Sequence, residues 1–117
     1  MVSKSNIGSG DVEVRLSGEK VVLRPSLNAA IKLSTMPGGL TKLVTRCSNL
    51  DFEAISDVLI IGGEMKVDEK TKEKIYRAGL MDLTVPCIEY LNILANGGNR
   101  PSLEEKDDEA PLGRNSR

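Results

Sequence analysis

Histidine and tryptophan are absent from these 117 residues, and the aromatic side chains are Phe52, Tyr76 and Tyr90. Without histidine there is no imidazole base, no Ser-His-Asp or Cys-His system, and no histidine-containing zinc site. So few aromatics leave an aliphatic core, and 39% hydrophobic residues make it a modest one. Cysteine is limited to Cys47 and Cys87, forty positions apart. No Cys-x-x-Cys spacing marks a metal or redox site, and buried free thiols are expected in preference to a disulfide. Long apolar runs are missing as well. The longest is Val58-Leu59-Ile60-Ile61, against the ~20 residues that span a bilayer. The polar first ten residues lack the apolar stretch of a signal peptide, so a cytoplasmic protein with no membrane association is expected. Finally, neither sign of charge dominates. Sixteen basic and 17 acidic residues give a net charge of -1, which argues against non-specific nucleic-acid binding.

What remains is one small domain. Residues 1–10 are rich in Ser and Gly and are expected to be flexible. Val12, Val14 and Leu16 then alternate with Glu13 and Arg15, the period of a strand. Val21, Val22 and Leu23 follow a turn cluster, so a β-hairpin is expected. With Gly18-Glu19 as a two-residue loop, Leu16 faces Val21, Val14 faces Leu23, and Glu13 faces Arg24. Such a hairpin needs a cover for its apolar face.

Five short helices supply that cover. Ser26 is a cap for the first, with Leu27, Ala30 and Ile31 turned inward, and Met36-Pro37-Gly38-Gly39 ends it. Leu40, Leu43, Val44 and Cys47 give the second its apolar side. Ser48-Asn49-Leu50-Asp51 is a break with capping chemistry, and the third helix after it carries Phe52, Ile55, Val58 and Leu59 inward and stops at Gly62-Gly63. Asp68 and Glu69 open the fourth, which turns Ile75 and Tyr76 inward and closes at Gly79. The fifth starts near Asp82 or Thr84, tolerates Pro86 in its first turn, and runs to about Ala95. Cys87, Ile88, Tyr90, Leu91, Ile93 and Leu94 make this helix apolar on most sides. A helix of that kind is central in the core or covered by a partner. Ile88, Leu91, Ile93 and Leu94 are therefore the candidate partner-binding residues, with self-association as one use. Residues 97–117 contain two prolines and the run Glu104-Glu105-Lys106-Asp107-Asp108-Glu109, and are expected to be disordered. The expected architecture is α+β: an N-terminal hairpin packed on a bundle of about five short helices, all within residues 11–96.

Two motifs invite functional readings. Asp57 to Gly63 looks like the end of a dinucleotide-binding strand, but the third glycine and the surrounding βα units are missing. A glycine-stopped helix explains it better. A helix-turn-helix reading of the second and third helices puts Glu53, Ser56 and Asp57 where base-reading cations belong. The scattered carboxylates are explained by capping and solvation, so no enzyme, cofactor or metal is expected.

Val21-Val22-Leu23-Arg24-Pro25-Ser26-Leu27 resembles the strand-to-helix entry of small tail proteins from siphophages and gene transfer agents. The resemblance continues through Gly39-Leu40-Thr41-Lys42-Leu43 and Phe52-Glu53-Ala54-Ile55-Ser56-Asp57-Val58-Leu59. It ends with Arg77-Ala78-Gly79-Leu80 and Tyr90-Leu91-Asn92-Ile93-Leu94-Ala95, and spans about residues 11–98. It implies a non-enzymatic tail assembly chaperone of a phage or prophage. Such a protein holds the tape measure protein soluble while tail tube subunits polymerise around it. A structural tail tube or tail completion subunit is the alternative. A small DNA-binding regulator is the third reading.

Overall fold

The computed structural model describes residues 10–100. The expectations for residues 1–9 and 101–117 lie outside it. Strands β1 (Val12–Leu16) and β2 (Glu19–Leu23) form an antiparallel hairpin, followed by helices α1 (Leu27–Ser34), α2 (Gly39–Ser48), α3 (Phe52–Gly63), α4 (Glu69–Ala78) and α5 (Leu80–Ala95). The expected α+β arrangement is present.

The hairpin forms, but two residues out of the expected register. Val12 pairs with Leu23, Val14 with Val21, and Leu16 with Glu19. The loop is Ser17-Gly18, with φ of 52° and 87°. Left-handed backbone at both positions gives the turn whose twist matches the flanking strands. A Gly18-Glu19 loop would have forced Glu19 into that region instead. Because side chains alternate with a period of two, a two-residue slip changes partners but not faces. Val12, Val14, Leu16 and Leu23 therefore still point into the core. The charges re-pair. Glu13 sits opposite Val22 and meets Lys20 at 3.8 Å, while Arg24 meets Asp11 at 2.9 Å.

Side-chain caps act where expected. Ser26, Asp51 and Asp68 accept from the backbone N–H of Ala29, Ala54 and Thr71 at 3.0, 3.2 and 2.8 Å. The inward face of α1 differs from expectation. Ala29 and Leu33 are buried, and Leu27 and Ile31 are exposed. Five of its eight residues are apolar and surround the axis, so periodicity could not choose a side. In α4, Ile75 is buried as expected, but Tyr76 is exposed.

The glycine pair of α3 has another role than the expected stop. Gly62 and Gly63 are helical, and the helix ends at Glu64, which is left-handed at φ 54°. The Met65 N–H donates back to the Ile60 carbonyl at 2.9 Å, closing the last turn. The glycines instead permit close approach. A Cβ on Gly62 would lie 2.8 Å from Tyr90 Cε2, and one on Gly63 2.9 Å from Val21 Cγ1. Helix α2 ends in the same way as α3, through Leu50 at φ 62°.

Helix α5 starts at Leu80, earlier than expected, so Pro86 lies inside it. Proline cannot donate to the carbonyl four residues back, here that of the exposed Asp82. Nearby, the Thr84 hydroxyl donates to the Leu80 carbonyl at 2.9 Å, with the Cys47 carbonyl also within reach of its one proton at 3.3 Å. The domain also extends past Asn96. Gly98 N–H donates to the Ile93 carbonyl at 2.8 Å, and Arg100 holds both the Asp11 carbonyl and the Glu89 carboxylate. The boundary expected at residue 96 therefore moves to at least Arg100.

The turn gives the first test. Asparagine tolerates left-handed backbone better than serine, so Ser17→Asn should stabilise the protein by several tenths of a kcal/mol, up to about 1. Urea denaturation measures this, and a loss of stability would contradict the observed register.

Candidate partner-binding surface

Helix α5 crosses the domain against α2, α3, α4 and β1. Of the four candidate residues on it, Leu91, Ile93 and Leu94 are buried in the core. They form no surface, and the expectation that they meet a partner is corrected. The helix is apolar because the rest of the fold wraps around most of its circumference. Ile88 is half-buried and differs from the other three.

Ile88 belongs to an outward stripe that the sequence reading missed. Met81, Val85 and Ile88 follow at i, i+4 and i+7, on one side of α5. Met81 is 75% exposed and Val85 70%. Exposed Asn92 continues the stripe one turn further. Asp82 is exposed and Glu89 half-buried, so carboxylates lie beside it. The spacing was visible in principle. It was hidden because the helix was expected to begin only at Asp82 or Thr84, which left Met81 out.

A second exposed feature lies on α4. Tyr76 is 71% exposed, and together with Phe52, Glu69, Lys72 and Glu73 it lines an open groove of about 420 Å³. Helices α4 and α5 meet at 103°, which separates the directions of their outer faces. The groove mixes two aromatic rings with both signs of charge. It offers contact area and polar edges, but no enclosed chamber in which a small substrate could be desolvated.

Some of the ionisable groups are tied into local structure. Arg46 Nε donates to Asp51 Oδ2 at 2.8 Å. That hydrogen bond, with the Ala54 N–H, holds the Asp51 carboxyl below its usual range. The Thr71 N–H does the same for Asp68. Asp57 is shifted the other way, upward, by burial and by neighbouring Glu53. Cys47 and Cys87 are both buried free thiols, as expected. Hydrogen bonding to Cys47 and burial push the Cys87 thiol up, so it stays protonated. Ser56 Oγ is buried in α3 without a hydrogen-bond partner. Among the described residues, no group of three or more acidic or cysteine side chains could hold a metal ion. None of the described helices is by itself long and apolar enough to cross a membrane.

Comparison with protein-family models, curated proteins and solved structures finds no match.

A paired substitution separates core from surface on α5. Ile93→Asp buries an unpaired carboxylate and should cost more than about 3 kcal/mol or prevent folding. Val85→Asp should change stability by less than about 0.5 kcal/mol. Equal losses in urea denaturation would show that the outward stripe is misassigned.

Proposed function

We propose that this chain is a non-enzymatic tail assembly chaperone of a phage, prophage or gene transfer agent, acting in the bacterial cytoplasm. Its partners are the tape measure and tail tube proteins of the same system. The observation that supports this best is the exposed Met81-Val85 pair, continued by half-buried Ile88, on the central helix. A chaperone of long apolar helices needs a surface that is apolar, repeated in use and tolerant of sequence. Three apolar anchors spaced at helical intervals suit docking against another amphipathic helix. A methionine at one end adapts to different partner shapes. The carboxylates of Asp82 and Glu89 keep the stripe from growing into a wide apolar patch.

The fold is consistent with the resemblance in its order of elements: hairpin, Arg24-Pro25 entry, short helices and a closing apolar helix. The site moves relative to the sequence reading. Binding is assigned to Met81, Val85 and Ile88, while Leu91, Ile93 and Leu94 support the helix from inside.

Co-expression with the tape measure protein tests the proposal. The full chain should raise the soluble yield of that protein and co-purify with it. Val85→Asp should weaken the complex about tenfold or more, the loss expected for a central anchor. No gain in solubility and no complex would refute the chaperone reading. Rings or tubes formed by the purified chain alone would favour the structural tail subunit instead.

A further inference from the structure

Strand β1 pairs with β2 on one side and presents an outer edge on the other. The two-residue loop makes Leu16 and Glu19 a hydrogen-bonded pair, and alternation makes Val14–Val21 and Val12–Leu23 the next two. The main-chain groups of Asp11, Glu13 and Arg15 therefore point away from β2. Arg100 takes the Asp11 carbonyl. No described residue hydrogen-bonds to the outward main-chain groups of Glu13 or Arg15. The other edge of the sheet differs, because the Arg24 N–H just past β2 is bonded to the Gly62 carbonyl. An unpaired edge is a template for another strand. Beside it lies a recess of about 260 Å³, between Glu13, Val14 and Arg15 of β1 and Leu83 and Pro86 of α5, with Asp82 also on its wall.

The residues of the edge select its occupant. Glu13 and Arg15 are exposed, opposite in charge, and separated only by Val14. Lay a second β1 antiparallel to the first, with a two-fold axis through Val14. Glu13 of each copy then falls opposite Arg15 of the other. These are hydrogen-bonded pairs, because they join residues whose main-chain groups point outward. Val12 falls opposite Leu16, so the core-facing side chains of both copies stay on one face. A shift by one residue loses the hydrogen bonds. The next registers in either direction set Glu13 against Glu13 or Arg15 against Arg15, which is unfavourable. The edge is therefore complementary to itself in one register. Inside the chain both side chains are held only weakly. Glu13 meets Lys20 at 3.8 Å and Arg15 reaches the Gly18 carbonyl at 3.5 Å, both in solvent.

We infer that two copies of this chain pair through their β1 edges, forming a four-stranded antiparallel sheet in the order β2-β1-β1-β2. The interface is isologous, with Val14 of the two copies meeting across the axis. The paired segment is short, so the dimer is weak and reversible and is governed by concentration. It uses none of the residues of the α5 stripe and does not depend on the tail-assembly reading.

Sedimentation velocity of the full chain at increasing concentration should show a monomer–dimer equilibrium. Glu13→Arg and Arg15→Glu each turn both cross-axis pairs into like-charge pairs, and each should weaken the dimer about tenfold. Combining the two substitutions restores opposite charges with the signs exchanged, and should recover dimerisation. Neither misfolding nor a dimer through another surface gives that recovery. A chain that stays monomeric up to millimolar concentration would overturn the inference. So would a dimer that tolerates either single reversal, or a double variant that associates no better than the single ones.

Discussion

Three elements meet at the Tyr90 side chain, and the positions of the others follow from that meeting. Its hydroxyl donates to the Arg24 carbonyl at 2.7 Å, just past the end of β2. The Arg24 N–H in turn donates to the Gly62 carbonyl at 3.0 Å, in the last turn of α3. The ring lies against Gly62, where no side chain intervenes. Hairpin, α3 and α5 are thus fixed to one another through a single buried phenol. A fully buried phenol must find a hydrogen-bond partner, and burial pushes its pKa up to about 12. The Asp11–Arg24 pair fastens the same corner from the strand side. Because α5 is held here, its inner face is committed to the core and only the Met81-Val85-Ile88 side is left for other uses.

Local chemistry written in short stretches of sequence was legible. The caps Ser26, Asp51 and Asp68, the alternation of β1 and the inward face of α2 all depend on neighbours within a few residues. What was not legible depends on distant partners. Gly62-Gly63 reads as a helix stop in isolation, and only the approach of Tyr90 and Val21 shows why glycine stands there. Two helices end instead at Leu50 and Glu64, residues that ordinarily avoid left-handed backbone and so leave no stop signal. The hairpin register depends on Ser17, a non-glycine residue, taking left-handed backbone in the turn, which its sequence does not announce, whereas the faces follow from alternation alone.

The candidate site failed for a related reason. An apolar helix surface looks the same from sequence whether its cover is intramolecular or not. Leu91, Ile93 and Leu94 were covered by their own chain, while Met81 lay outside the expected helix altogether. The low aromatic content sharpens this division. With one tyrosine in the core and Tyr76 on the outside, the interior depends on aliphatic packing around one aromatic anchor. The thiols of Cys47 and Cys87 serve that interior as small apolar groups.

The Tyr90 ring leaves no room for a side chain at position 62. A double-mutant cycle in urea denaturation with Gly62→Ala and Tyr90→Leu measures that constraint directly. With Tyr90 present, Gly62→Ala should cost about 1–3 kcal/mol through overpacking. With leucine at position 90 the clash is gone, and alanine should be neutral or stabilising by up to about 1 kcal/mol, its usual advantage over glycine in a helix. Effects that add to within about 0.5 kcal/mol would contradict the account, because they would show that the two positions do not constrain each other.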